Sequence, residues 1–137
     1  GDYVKNHSWS WQYGYKEVVE YIKTNGAKYG TIYITKKYGE PHEFILFYSQ
    51  YDSEKYRGDS NLVRYQRSDW SWVDAFDKYR FVNDWEVVDR VKNQESRVKS
   101  LLITSPGNYP EGSQKLETIN FLDGKPAFDI VELPQVQ

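Results

Sequence analysis

The sequence predicts an α/β fold: a single-domain sandwich with a central mixed, partly parallel sheet, flanked by helices and closed by a C-terminal β-hairpin. Three observations predict it. Thr31–Thr35 and Ser100–Thr104 are short, β-branched, apolar runs of the kind that form buried strands. Segments with helical periodicity, Tyr15–Asn25 and the stretch after Pro41, alternate with such runs. Asp123-Gly124 sits between two β-like runs, a strong hairpin signal.

Taken in order, residues 1–14 read as an irregular aromatic lead-in (Tyr3, His7, Trp9, Trp11, Tyr13). Tyr15, Val18, Val19 and Ile22 then form one apolar stripe of a helix, with Gly14 as a candidate N-cap and Asn25-Gly26 as its stop. Thr31–Thr35 is the first strand, Gly39 permits a turn, and Pro41 suits the first turn of a second helix whose apolar face is Phe44, Ile45, Tyr48 and Tyr51. Residues 51–69 are charged and turn-rich, with a short strand expected over 62–66. Asp69–Asp77 reads as a short helix or turn carrying Trp70 and Trp72. Tyr79–Val82 is a second buried strand, closed by Asn83-Asp84-Trp85, and Val87, Val88 and Val91 fit a helix face. Ser100–Thr104 is the third strand, ended by the breaker cluster Ser105–Pro110. The hairpin is expected over 118–133, with Pro126 at an edge or a strand start. Neither a tandem repeat nor a linker interrupts the chain, so residues 1–137 read as one domain.

Composition narrows the function classes. A net charge of -2 leaves no basic footprint, so nucleic acid is not an expected partner. Without Cys there is no thiol catalysis, Cys-ligated metal or disulfide. His7 and His42 lie far apart, with no His or Cys at ligand spacing, so no metal site is expected. Neither a G-x-G-x-x-G, a P-loop nor a G-x-S-x-G is present, so no cofactor is expected and the hydrolase elbow is missing. No run approaches the roughly 18 apolar residues of a membrane span. Met is absent even at position 1, which is expected of a chain that starts inside a longer gene product.

Two strand ends echo each other, Ile34-Thr-Lys-Lys-Tyr-Gly-Glu-Pro41 and Ile103-Thr-Ser-Pro-Gly-Asn-Tyr-Pro110. Parallel strands deliver their carboxyl ends to one edge of a sheet, where ligands bind. Candidate ligand-binding residues are therefore Thr35, Lys36, Lys37, Tyr38 and Ser105, joined by Asn83, Asp84 and Trp85. Lys36 and Lys37 beside a helix N-terminus at Pro41 would suit an anion; the same residues also read as turn formers and solvated lysines. Aromatic residues make up 18% of the chain, and Trp9, Trp11, Trp70 and Trp72 are candidate platforms for stacking on sugars. Asp69, Asp74, Asp77 and Asp84 cluster in sequence around tryptophans, an arrangement that suits hydroxyl recognition and equally suits ordinary surface charge.

Five stretches, in order, resemble one family: Trp9–Ile22, Ile34–His42 with its aromatic helix, Phe76–Phe81, Leu102–Asn108 and Ile119–Phe128. They are similar to the soluble C-terminal region of bacterial and archaeal glycosyltransferases of family 39, the protein mannosyltransferase-like and aminoarabinose transferase-like membrane enzymes. The resemblance spans nearly the whole chain. In that family the transmembrane helices carry the enzyme, a polyprenyl-phosphate sugar is the donor, and the catalytic acid lies in a loop between early helices. The resemblance thus implies an extracytoplasmic domain following the last span, with no catalytic residue of its own. Its expected partners are the transmembrane region of the same polypeptide and a glycan or protein acceptor. Two other readings stand beside it: a carbohydrate-binding module using exposed Trp and Tyr, and a small α/β enzyme with a strand-end cleft.

Overall fold

Seven strands form one mixed sheet in a computed structural model that describes residues 2–39, 41, 45, 63–67, 70–92 and 97–135; the side-chain surroundings of 2–12 and 63–73 fall outside the description. The strands are β1 (Thr31–Thr35), β2 (Val63–Arg67), β3 (Trp70–Phe76), β4 (Tyr79–Val82), β5 (Ser100–Thr104), β6 (Gln114–Asn120) and β7 (Pro126–Glu132). Their order across the sheet is β2-β3-β4-β1-β5-β7-β6. β1 pairs in parallel with both β4 and β5, while β2–β3–β4 and β5–β7–β6 are antiparallel. The sheet is therefore parallel at its centre and antiparallel on both flanks. The main helices among the described residues are α1 (Asp2–Asn25) and α2 (Val87–Lys92). Pro41 and Ile45 also have helical backbone and are buried, in keeping with the helix expected there; Phe44, Tyr48 and Tyr51 lie outside the described residues.

Strand alternation divides the core in two. Ile32, Ile34, Tyr79, Phe81, Leu101, Ile103, Phe128 and Ile130 join Tyr15, Val18, Val19 and Ile22 of α1 in one buried cluster. The intervening Tyr33, Val82, Leu102 and Val131 meet Val87 and Val91 of α2 in the other. Burial on both faces is what a near-continuous apolar run such as Ser100–Thr104 requires, and all five of its residues are buried.

Two expectations are corrected. Residues 2–14 are not an irregular lead-in but the first turns of α1. No proline interrupts them, and one interior glycine costs only about 1 kcal/mol in helix propensity. Gly14 is not an N-cap; it is buried where α1 crosses β7, and a Cβ there would lie 3.3 Å from Cε2 of Phe128. Within the stretch expected as a short helix or turn, Trp70–Phe76 is instead β3, extended by pairing with β2 and β4. The expected stop of α1 holds: the helix ends at Asn25, and the Lys78 ammonium donates to the Gly26 carbonyl at 2.7 Å, satisfying an acceptor beyond the last turn. The hairpin also holds, although β6 starts earlier than 118. Its turn is closed by Gly124 N–H to the Phe121 carbonyl, with Gly124 at φ +87, and Pro126 is the first residue of β7.

Phe128 touches Tyr15 (centroids 5.3 Å apart) and Tyr38 (5.1 Å, edge-on), so it joins α1, the turn after β1 and the hairpin. Phe128→Ala is expected to cost about 3–5 kcal/mol in urea unfolding. Burial also raises the phenols of Tyr15, Tyr21, Tyr29, Tyr33 and Tyr38 above their ordinary 10.0, and Glu132, which accepts the Tyr29 hydroxyl at 3.0 Å, pushes that phenol further up. The unfolded chain then releases these protons at lower pH than the folded one. Stability should be intact below about pH 10 and fall as pH rises through the folded values. Phenolate absorbance and circular dichroism recorded in one alkaline titration should change together.

Candidate functional site at the carboxyl edge of the sheet

Because β4, β1 and β5 are parallel, Val82, Thr35 and Thr104 end at the same edge. Thr35, Lys36, Asn83, Asp84 and Ser105 come together there. Lys36 N–H donates to the Val82 carbonyl at 2.8 Å, binding the exit of β1 to that of β4. Asn83, Asp84 and Trp85 then form the start of a tight turn over Asp84–Glu86, and the Asn83 amide reaches Glu86 Oε1 at 3.3 Å.

Hydrogen bonds tie the three exits together. The Thr35 hydroxyl donates to Asp84 Oδ1 at 2.7 Å and accepts from Lys37 N–H at 3.1 Å. Asn108, in the loop after β5, donates its amide to the Asp84 carbonyl at 2.8 Å, and its own carbonyl accepts the Thr104 hydroxyl at 2.9 Å. Ser105 is buried, and its carbonyl accepts from Asn108 N–H. On the far side of that loop, Gly107 N–H donates to Asp129 Oδ2 at 2.9 Å, while Thr118 donates to Oδ1 of the same buried carboxylate at 2.9 Å. A carboxylate in the interior must be satisfied in this way, since an unpaired one would carry a large desolvation cost.

Each predicted residue can now be placed by what it touches. Lys36, mostly buried, is paired with Asp74 of β3, so its charge is spent within the fold. Lys37 is exposed, with its ammonium 5.6 Å from the Tyr38 ring centre. Tyr38 turns onto the face covered by α1: its hydroxyl donates to the Ala127 carbonyl at 2.9 Å and its ring meets Phe121 and Phe128 edge-on. Trp85 is 83% exposed, the largest ring surface shown to solvent among the described residues. Trp9 and Trp11 lie on α1 and Trp70 and Trp72 on β3; their surroundings, like all of His42 and Asp69, are outside the described residues.

Chemically, the hydroxyl–carboxylate pair Thr35–Asp84 has the spacing of a nucleophile and base, but Thr35 is wholly buried and its oxygen is already engaged twice. No group of three or more His, Asp or Glu side chains able to hold a metal occurs among the described residues. The edge is a bonded rim from which Lys37 and Trp85 project. Asp129 and Asn108, which hold this rim, were not singled out from sequence. A lone acid inside the apolar run Ala127–Val131 was the available signal, because such a position demands partners.

Among the described residues no helix is long and apolar enough to cross a membrane. No protein-family model, curated protein or solved structure matches the chain.

Asp129→Ala leaves the Gly107 N–H and the Thr118 hydroxyl without their acceptor and should cost about 1–3 kcal/mol in chemical denaturation. Lys37→Ala, at the exposed end of the same rim, should stay within about 0.5 kcal/mol of the parent.

Proposed function

We propose that the chain is the extracytoplasmic domain of a polyprenyl-phosphate-sugar-dependent membrane glycosyltransferase of the mannosyltransferase-like kind, shaping the site or holding the acceptor and not catalytic alone. One observation carries the reading. All five stretches that resemble the family send residues into one buried cluster, Tyr15, Ile34, Phe81, Ile103 and Phe128 among them, and three of them meet ring on ring: Tyr15 on Phe128, and Tyr38 on Phe121 and Phe128. The shared residues thus carry a core, not a set of reacting groups, as expected of a domain whose chemistry resides elsewhere in the protein. The bonded rim fits the same reading, since Thr35 of the Thr35–Asp84 pair is closed to substrate.

A second reading, a carbohydrate-binding module, is favoured by the exposure of Trp85 on a turn held by Asn83, Thr35 and Asn108. The two readings separate in one system. The protein encoded by the complete reading frame should contain a polytopic membrane region before Asp2. In vesicles it should transfer sugar from a polyprenyl-phosphate donor, and removal of residues 2–135 should lower transfer at least about tenfold, a loss of 1.4 kcal/mol or more in transition-state stabilisation. A reading frame without membrane spans, or sugar transfer by the isolated domain, would refute the proposal.

A further inference from the structure

The face of the sheet covered by α1 carries a second feature on its outer flank, beside the bonded rim. Between α1, β6 and the hairpin turn runs an open groove of about 310 Å³, at the lower end of ligand-sized sites. Two rows of side chains border it. Tyr13 and Glu17 stand one helical turn apart on α1. Glu117, Ile119 and Phe121 follow at every second position along β6 and into the turn, with Asn120 at the groove's end. Thr118, between them, points the other way, to Asp129, which fixes Glu117 on the α1 side.

Three properties of this groove bear on what it could take. Tyr13 is 39% exposed, so part of its ring faces the opening. Glu17 and Glu117 are exposed and form neither an ion pair nor a side-chain hydrogen bond among the described residues, so their oxygens remain available as acceptors. Glu117 also lies close enough to Tyr21, one turn beyond Glu17, to raise its phenol. The floor is apolar, with Ile119 in the core and Phe121 packed against it.

We infer that this groove is a saccharide-binding site for one or two neutral sugar rings. An aromatic ring beside acceptor oxygens matches a sugar's two surfaces: its C–H face stacks on Tyr13, and its hydroxyls donate to Glu17 and Glu117, with charge-assisted hydrogen bonds the stronger kind. Asn120 adds a group that both donates and accepts. The paired carboxylates disfavour phosphate and acidic glycans. An extended peptide fits less well, because β6 is bulged between Lys115 and Glu117, and a bulge breaks the even row of groups onto which another strand would add. The inference deepens the acceptor-holding role proposed above and rests on it for the class of ligand; binding itself needs no membrane partner.

The test is a titration of the 137-residue chain with mannobiose, cellobiose and lactose to millimolar concentration, followed by amide chemical shifts. At least one disaccharide should shift Tyr13, Glu17 and residues 117–122 together and saturably. Tyr13→Ala and Glu117→Gln, both at exposed positions, should each weaken that binding at least about tenfold while the remaining spectrum stays unchanged. The inference is overturned by silence with all three sugars, by shifts centred on Trp85 in place of the groove, or by groove shifts seen only with a lysine-rich peptide. A silent groove together with a transfer defect on removing residues 2–135 refutes the groove alone. A responsive groove together with unchanged transfer supports the groove and refutes the accessory role.

Discussion

The architecture depends on a strand with no free side. β1 has parallel neighbours on both edges and apolar cover on both faces, so its backbone groups and side chains alike are removed from water. Such a strand can exist only if a helix covers each face and the chain crosses over twice to bring β4 and β5 alongside. α1 and α2, the long excursion from β1 to β4, and the shorter one from β4 to β5 all answer that requirement. The antiparallel flanks are then a matter of closing the sheet outward with local connections, Asp77-Lys78 on one side and the Phe121–Lys125 turn on the other.

The same constraint produces the polar rim. Where parallel strands end together, their hydroxyl and amide groups meet at a place half withdrawn from solvent, and each must find a partner. Thr35, Asp84, Asn108 and Thr104 find one another, and Asp129 takes Gly107 and Thr118. In many α/β proteins this edge is left open for a ligand; here its groups are consumed by holding the loops. The groove proposed as a saccharide site lies beside this rim on the outer flank of the sheet, where two glutamates of α1 and β6 face the opening.

Legibility of the sequence followed the strength of the local signal. β1, β4 and β5 are apolar runs that only buried strands explain, and Asp123-Gly124 specifies a turn almost by itself. β3 reads as a capped turn because Asp74 and Asp77 stand around tryptophans, whereas its strand state is set by pairing with its sequence neighbours β2 and β4, which single-segment propensity does not register. The start of α1 was missed because Gly14 looks like punctuation. Its absent side chain serves contact with Phe128, more than a hundred residues later in the chain. At the site, convergence of Thr35, Asn83, Asp84 and Ser105 could be anticipated from parallel topology. The pairing of Lys36 with Asp74 and the inward turn of Tyr38 could not, because both depend on which strands lie next to β4 and β7.

Gly14, Phe128 and Asp129 also have a mechanical meaning. Phe128 bears on α1 at Gly14, and the very next residue grips the loop after β5 from the reverse face of the sheet. A 24-residue rod, about 36 Å long, therefore has a one-residue linkage to the far loop. Any displacement of α1 at Gly14 would thus meet Phe128 directly, one residue from the carboxylate that anchors Gly107.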